Sequence, residues 1–304
     1  MTLVVLFNGQ GEQRREHVDR LLVDAPPDLA TPLRTALDEL GLRLDALTHD
    51  QLFPNRVAQP VICTYQLMTW RTLASRLPRP ELYAGYSLGE VTAFACAGAF
   101  PPGEAVSLAS LRARFMDEAV SAPSGLVAVL GLTERTVAEL CRRHGTEIAI
   151  RNGADHFIVG GEREALGRLV DEAGKSGASK TTVLGVTTPS HTSMLASAAA
   201  RFGLELRAKL RDRLDVPVLS GVDASVVRSG QAAAAALETQ IRRTIDWAAC
   251  METIVGFHPH AVLEIGPGTA LSRMLRELDA GLEVRSVDDF RSLEAAERWV
   301  SSRL

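Results

Sequence analysis

The segment from Gly85 to Glu90, GYSLGE, could carry covalent chemistry because it places Ser87 between two glycines in a G-x-S-x-G pattern. On a tight turn from a strand to a helix, a Cβ at Gly85 or Gly89 would clash with the turn itself. The turn would expose the Ser87 hydroxyl at a helix N-terminus, where the N–H of Leu88 faces an oxyanion that forms on a substrate carbonyl. The pattern therefore predicts that Ser87 is a nucleophile.

The sequence on either side of this segment decides between a nucleophile and an ordinary glycine-rich turn, which is the alternative explanation of so short a pattern. Residues 80–84 can supply a short strand, and residues 91–100 have the composition of a buried helix of small residues. The context is therefore strand, turn and helix, as a nucleophile elbow requires.

A serine hydroxyl needs a base, which is most often a histidine. Six of the seven histidines lie in polar segments, helix ends or turns that give no sign of catalysis. His191 differs because it follows Thr188-Pro189-Ser190, where we expect an inserted unit to return to the main body of the chain. A helix cap is the alternative role of a lone histidine, but beside a serine elbow His191 is the best candidate for the base.

Composition excludes several classes of protein. The chain has 304 residues, of which 46% are hydrophobic and 23% are charged, as in an ordinary globular protein of one large or two smaller domains. A net charge of −4 leaves no basic footprint for nucleic acid. The four cysteines lack C-x-x-C spacing, and neither a signal peptide nor a membrane-spanning stretch is evident. We expect a cytoplasmic protein without a metal site, bound to neither nucleic acid nor membrane.

The elements around the elbow are typical of an α/β layer fold. Residues 3–7 form an apolar run before a glycine-rich loop, and residues 261–265 form another before the loop Gly266-Pro267-Gly268. Both patterns predict buried strands that feed glycine loops. Periodicity predicts helices over residues 55–77, 191–210, 232–247 and 270–278, two more between 17 and 47, and a strand over 216–220.

The middle of the chain follows a different pattern, in the order β-α-β-β-α-β that is typical of a ferredoxin-like unit. We therefore expect a ferredoxin-like subdomain of residues 125–188, inserted into a large α/β-hydrolase-like domain of residues 1–124 and 189–304. The predicted elements of the subdomain are strands at 125–132, 147–151, 157–160 and 180–186 and helices at 133–145 and 163–177.

Five ordered motifs resemble the malonyl-CoA:acyl-carrier-protein transacylase family and are collinear with it over nearly the whole chain. They are FNGQGEQ at 7–13, GYSLGE at 85–90, LRARFMDEA at 111–119, PSH at 189–191 and EIGPG at 264–268.

Further segments are similar to the epsilon subunit of bacterial malonate decarboxylase, which loads malonyl onto the carrier protein of that enzyme. They are NRVAQPVICTYQ, AGYSLGEV, LSGVDA, QIRRTIDWAACME and RSVDDFRSLEAAERWV.

The family resemblance implies that Arg112 binds the free carboxylate of malonyl. A guanidinium can pair bidentately with a carboxylate, in a fork that lysine cannot reproduce. Acetyl-CoA would leave a buried Arg112 without a partner, so the enzyme would discriminate against it. A surface arginine is the alternative reading, and Arg114 is expected to face solvent.

The resemblance also implies roles for four other residues. The backbone N–H of Gln10 would join that of Leu88 in an oxyanion hole. The main-chain carbonyl of Gln240 would accept the N–H of His191 and fix its tautomer, where a hydrolase would use an aspartate. Gln59 and Asn152 match positions that line the acyl pocket.

Three residues depart from the family pattern. Asn8 replaces a proline and Glu12 replaces a small residue in the loop that holds Gln10. Tyr86 replaces the histidine that commonly precedes the nucleophile, so the malonyl assignment depends on Arg112.

The sequence thus predicts malonyl transfer from malonyl-CoA through a Ser87 acyl-enzyme to the prosthetic-group thiol of an acyl carrier protein, without a metal or organic cofactor. The main interpretation is the malonate decarboxylase epsilon subunit, whose other subunits would be further partners. The alternative is the malonyl transacylase of fatty-acid or polyketide synthesis. A serine thioesterase or esterase and a carrier-docking subunit without activity are rivals, which the lack of an evident acidic third residue and the presence of Ser87, His191 and Arg112 disfavour.

Overall fold

The computed structural model of the chain describes residues 2–304, which form two β-sheets with helices packed around them. The strands are β1 (Leu3–Phe7), β2 (Leu82–Gly85), β3 (Ser124–Leu130), β4 (Glu147–Arg151), β5 (His156–Glu162), β6 (Lys180–Val183), β7 (Arg213–Leu219), β8 (Val226–Ser229), β9 (Ile245–Asp246), β10 (Ala261–Ile265) and β11 (Val284–Ser286).

Helices follow most of the strands, in the alternation expected of an α/β protein. They are α1 (Arg15–Asp24), α2 (Pro27–Asp38), α3 (Asn55–Ala74), α4 (Leu88–Cys96), α5 (Pro102–Glu118), α6 (Glu134–His144), α7 (Arg163–Lys175), α8 (Ala196–Arg207), α9 (Gly230–Arg242), α10 (Trp247–Gly256), α11 (Ala270–Leu278) and α12 (Leu293–Ser301).

The larger sheet has six strands in the order β11-β10-β1-β2-β7-β8, and only the β7–β8 pair is antiparallel. The register pairs Phe7 with both Gly85 and Ile265, so β1, β2 and β10 end side by side. Since the three strands are parallel, the loops that follow them meet at one edge of the sheet, where ligands bind in such folds.

Strand β1 is buried on both faces, which explains its uninterrupted run of apolar residues. Leu3, Val5 and Phe7 pack against the helices on one side of the sheet. Val4 and Leu6 pack on the other side, in a cluster shared with the second sheet and with α10 and α11. The period of two along the strand therefore divides its side chains between two cores.

The smaller sheet has five strands in the order β6-β3-β5-β4-β9. Its first four strands are antiparallel and, with α6 and α7, give the predicted element order β-α-β-β-α-β. Strand β9 lies outside residues 125–188 yet pairs in parallel with β4, an addition that the sequence did not indicate. The division into domains at 124/125 and 188/189 stays a prediction.

The structure corrects two predicted helices. The helix expected over 191–210 begins only at Ala196. His191 has a positive φ of 63° and Thr192 is extended, neither of which a helix can contain, and Ser193–Leu195 form a separate 3₁₀ turn. The helix expected over 232–247 ends at Arg242, because Arg243 is extended and a new helix starts where the Asp246 carboxylate accepts the N–H of Ala249.

No helix in residues 2–304 combines the length and the apolar character that crossing a membrane requires.

The two-sided burial of β1 predicts that Leu6→Ala destabilises the protein by about 2–5 kcal/mol. Leu6 is fully buried, whereas Leu204 on α8 is 70% exposed, so Leu204→Ala is the matched control and should stay within about 0.5 kcal/mol. The free energy of unfolding in urea checks both values. Equal effects of the two substitutions would contradict the assignment of β1 to the core.

Candidate active site

The turn between β2 and α4 has the close packing that the glycine pattern predicts. A Cβ added to Gly85 would lie 2.1 Å from the backbone nitrogen of Glu90, and one added to Gly89 would lie 2.0 Å from the carbonyl oxygen of Phe7. Ser87 itself has φ 55° and ψ −109°, a conformation that a non-glycine residue rarely adopts. The packing around the two glycines keeps Ser87 in this strained position at the start of α4.

His191 lies directly beside the serine. Its Nε2 is 2.8 Å from Ser87 Oγ, and its Nδ1 is hydrogen-bonded to the main-chain carbonyl of Gln240. Because a carbonyl oxygen only accepts, Nδ1 carries the proton and Nε2 is free to accept the proton of Ser87. The backbone N–H of His191 donates to the Ile241 carbonyl and holds this position. The arrangement is that of a nucleophile, a base and a neutral orienting group.

The electrostatic environment keeps His191 neutral. Burial, and next the positive charge of Arg112, lower the pKa of His191 from its usual 6.5 to about 3, while the bond to the Gln240 carbonyl opposes this shift. A neutral imidazole is the form that can accept a proton from Ser87.

Arg112 extends from α5 into the protein interior and is 1% exposed. Its guanidinium donates to Gln59 Oε1 at 2.8 Å and to Gln240 Oε1 at 3.0 Å, and its Nη2 lies 3.4 Å from Ser87 Oγ. Burial lowers the pKa of Arg112 to about 10, which still leaves it charged at neutral pH. Among residues 2–304, no carboxylate lies within ion-pair distance of this cation.

The side chain of Gln240 makes contacts that the sequence did not indicate. Its Oε1 accepts from Arg112, and its Nε2 donates to the Ser87 carbonyl at 2.9 Å and to Glu90 Oε2 at 3.0 Å. Gln240 therefore connects the base, the buried cation and the elbow through its main chain and its side chain together. In the sequence, only the resemblance to the family indicated a role for Gln240, and that role belonged to its main-chain carbonyl.

The N–H groups of Leu88 and Gln10 are both available near Ser87. Leu88 is the first residue of α4, so its N–H has no acceptor within the helix. Gln10 lies in the loop after β1, and within residues 2–304 neither N–H donates a hydrogen bond. The position of a Cβ on Gly9 would be 3.0 Å from the Tyr86 carbonyl, so this loop packs against the elbow.

Asn8 and Glu12, two departures from the family pattern, connect the loop of Gln10 to the loop after β10. The amide of Asn8 donates to the Pro267 carbonyl at 2.9 Å. The carboxylate of Glu12 accepts the N–H groups of Thr269 and Ala270 at the start of α11, at 2.8 and 3.2 Å. These bonds hold the loop on both sides of Gln10.

A cleft of about 400 Å³ opens between the two sheets, with Ser87 and His191 on its wall. Asn152 lines the same cleft, where its Oδ1 accepts the hydroxyl of Tyr86 at 3.1 Å. Gln59 is not part of the wall; it lies behind the serine as a partner of Arg112 and also donates to Met116 Sδ. Apolar side chains from β3, β4 and β5 complete the cleft: Leu126, Ala128, Leu130, Ile150 and Ile158.

Comparisons with known proteins identify the family of the chain. A sequence model of the family described as acyl transferase domain matches residues 5–297. The malonyl CoA-acyl carrier protein transacylase of Salmonella typhimurium is 28% identical over 301 residues, which are 96% of this chain and 97% of that protein.

Solved structures confirm the predicted mixed α/β fold. The malonyl CoA-acyl carrier protein transacylase of Coxiella burnetii aligns with a TM-score of 0.88 and 26% identity, over 98% of each chain. A malonyl-transacylase solved in complex with its type II PKS acyl-carrier protein aligns with a TM-score of 0.88 and 28% identity, over 98% of this chain and 99% of that one.

The contact between Gly89 and the Phe7 carbonyl predicts that Gly89→Ala slows labelling of Ser87 by a serine-directed fluorophosphonate by about a hundredfold, since the added Cβ must displace the elbow. Gly167→Ala is the control, because a Cβ there meets no atom within 4 Å. Labelling rates and circular dichroism of both variants test the effect. A wild-type labelling rate in Gly89→Ala would contradict it.

The lowered pKa of His191 predicts that Ser87 labelling stays constant from about pH 7 to about pH 5. A histidine with its usual pKa of about 6.5 would be only about 3% neutral at pH 5 and would lose most of its rate. Replacing Arg112 by glutamine removes the second cause of the pKa shift, so the loss of labelling rate at low pH should begin closer to neutral pH in that variant. A wild-type labelling rate that falls below about pH 6.5 would contradict the conclusion that His191 is buried and neutral.

Proposed function

Because the chain belongs to the acyl transferase domain family, we propose that it moves a malonyl group from malonyl-CoA through a Ser87 acyl-enzyme to the prosthetic-group thiol of an acyl carrier protein. Arg112 is the observation that carries the proposal. A guanidinium without a carboxylate partner lies 3.4 Å from the nucleophile, in the interior of the protein. An acyl group with a free carboxylate supplies the missing countercharge, and a bidentate pair fixes its orientation.

The reaction proceeds by two acyl transfers at one serine. His191 accepts the Ser87 proton while Ser87 Oγ attacks the thioester carbon, and the oxyanion accepts the N–H groups of Gln10 and Leu88. The carbon–sulfur bond then breaks, and His191 returns the proton to the CoA sulfur. In the second half, His191 deprotonates the carrier thiol, and the sulfur attacks the malonyl-serine. The ester carbon–oxygen bond then breaks, and His191 returns the proton to Ser87 Oγ. None of these steps requires a metal or an organic cofactor.

Acyl transfer, rather than hydrolysis, is favoured by the partner of the base. A serine hydrolase orients its histidine with a carboxylate, which also stabilises the imidazolium. His191 has the neutral Gln240 carbonyl instead, and its surroundings are buried. The apolar cleft wall, contributed by the proposed subdomain of residues 125–188, keeps water from competing with the carrier thiol.

The identity of the carrier protein separates the two interpretations of the sequence. The relatives named above are transacylases of acyl carrier proteins, and one was solved with a type II PKS carrier protein. These findings support a malonyl transacylase of fatty-acid or polyketide synthesis better than the malonate decarboxylase epsilon subunit. We therefore take the former as the proposed function, with an acyl carrier protein as partner and the cytoplasm as its location.

The proposal predicts that malonyl-CoA leaves one malonyl group on Ser87, as measured by intact mass, and that Ser87→Ala abolishes the adduct. Arg112→Gln should lower kcat/KM for malonyl-CoA by about fivefold to about 150-fold, equivalent to about 1–3 kcal/mol, because the substrate carboxylate loses its partner. The preference for malonyl-CoA over acetyl-CoA should narrow in the same variant.

Arg114→Gln is the matched control, because Arg114 lies on the same helix with 35% of its side chain exposed. Arg114→Gln should leave kcat/KM unchanged for both malonyl-CoA and acetyl-CoA. Release of CoA without a lasting adduct would indicate a hydrolase, and the absence of both would indicate a carrier-docking subunit.

A further inference from the structure

Glu90 is a buried carboxyl that the reaction above does not use. It follows Ser87 by three residues, the spacing of a capping box, in which a serine and a glutamate cap the first turn of a helix. Neither half of that box forms in the structure. The Ser87 hydroxyl contacts His191, and the Glu90 carboxyl points away from the helix start to accept the amide of Gln240 at 3.0 Å.

The surroundings of Glu90 leave little room for water. The residue is 0% exposed, and a Cβ on Gly221 would lie 2.9 Å from its Oε2. Its second oxygen, Oε1, is buried and has no hydrogen-bond partner in residues 2–304. Gln240 is the one side-chain donor to this carboxyl among residues 2–304, so the site lacks the several hydrogen bonds that stabilise a buried ionised carboxylate.

The groups that face Glu90 come from four other parts of the fold. Arg112 on α5 favours its ionised form, Asp223 after β7 disfavours it, and the Cys250 thiol on α10 is buried nearby. The N–H of Gly221 and the amide of Gln240 also favour ionisation. Burial outweighs them and raises the pKa of Glu90 from 4.5 to about 8, which makes the neutral acid the main form at pH 7.

We propose that Glu90 is a positioning residue that works as a neutral acid: it holds the Gln240 amide against Arg112 and Ser87 while leaving the charge of Arg112 to the substrate carboxylate. This inference rests on the proposed malonyl transfer. If Glu90 ionises, it supplies an internal countercharge beside Gln240, and the substrate carboxylate then competes with it for Arg112. Glu90 thereby sets the alkaline limit of malonyl binding.

Linkage between the two anions gives the size and sign of the effect. A bound malonyl carboxylate near Arg112 disfavours ionisation of Glu90, and reciprocally an ionised Glu90 weakens malonyl binding by the same factor. A mutual effect of about one pKa unit corresponds to about a tenfold change in affinity. His191 is already neutral and Arg112 still charged between about pH 7 and about pH 9, so Glu90 is the group of this network that titrates there.

The test is single-turnover acylation of Ser87 by malonyl-CoA in the full-length protein, read by quenched flow and intact mass. Omitting an acceptor thiol removes its own titration from the measurement. We expect the half-saturating malonyl-CoA concentration of the wild type to rise about fivefold from about pH 7 to about pH 9, at an unchanged limiting rate. Glu90→Gln, a neutral isostere that can still accept from Gln240, should match the wild type at pH 7 and show no alkaline rise.

Asp223→Asn provides a second variant that leaves Glu90 in place. Asp223 raises the pKa of Glu90, so its neutralisation should start the alkaline rise at lower pH. Asp223 is exposed and accepts hydrogen bonds from the N–H and the hydroxyl of Ser225, so this variant tests the inference even where Glu90→Gln does not fold.

Several results would overturn the inference. Tighter malonyl-CoA binding by Glu90→Gln at pH 7 would mean that Glu90 is already ionised. An alkaline rise that persists in Glu90→Gln, or a rise that does not move in Asp223→Asn, would assign the titration to another group. A wild type that acquires no malonyl adduct would overturn the proposed function as well, whereas an adduct with unchanged variant profiles overturns only the role of Glu90.

Discussion

The contact between the elbow helix and the end of β1 is the constraint on which the site depends. Strands β1, β2 and β10 end in register, so their three loops compete for space at one edge of the sheet. Only a residue without a Cβ at position 89 lets α4 begin against the Phe7 carbonyl. That approach forces Ser87 into its strained conformation and brings its neighbour Leu88 beside the loop of Gln10. The strained backbone conformation thus fixes the position of the Ser87 hydroxyl.

The charges of the site are arranged so that one cation is left without a counterion. Burial holds both His191 and Glu90 in their neutral forms, and Gln59 and Gln240 give Arg112 amide oxygens rather than carboxylates. Amides satisfy the hydrogen-bond donors of a guanidinium but leave its charge uncompensated. A buried charge in this condition is costly for the free protein and favours an anionic ligand. In the malonyl transfer proposed above, the substrate carboxylate supplies the countercharge that this arrangement lacks.

Local patterns in the sequence predicted the parts of the site that lie on single turns. The spacing of Gly85, Ser87 and Gly89 follows from close backbone contacts around one turn. The apolar run of residues 3–7 follows from burial of both faces of one strand. Sequence patterns did not predict the short strand β9, because its pairing with β4 determines it. They also extended α8 back to His191, whose N–H instead bonds to the Ile241 carbonyl. These contacts join distant parts of the chain, and no local period records them.

The side-chain role of Gln240 illustrates the same limit and explains a property of the site. Its motif indicated a main-chain carbonyl, while the amide that touches Arg112, Ser87 and Glu90 depends on contacts with residues about 130 to 150 positions away. Gln240 therefore contacts both His191 and Arg112, and a change in its position would alter the orientation of each. In the proposed reaction, proton transfer and recognition of the acyl carboxylate then depend on the same residue, so their energies cannot be separated by removing either partner alone.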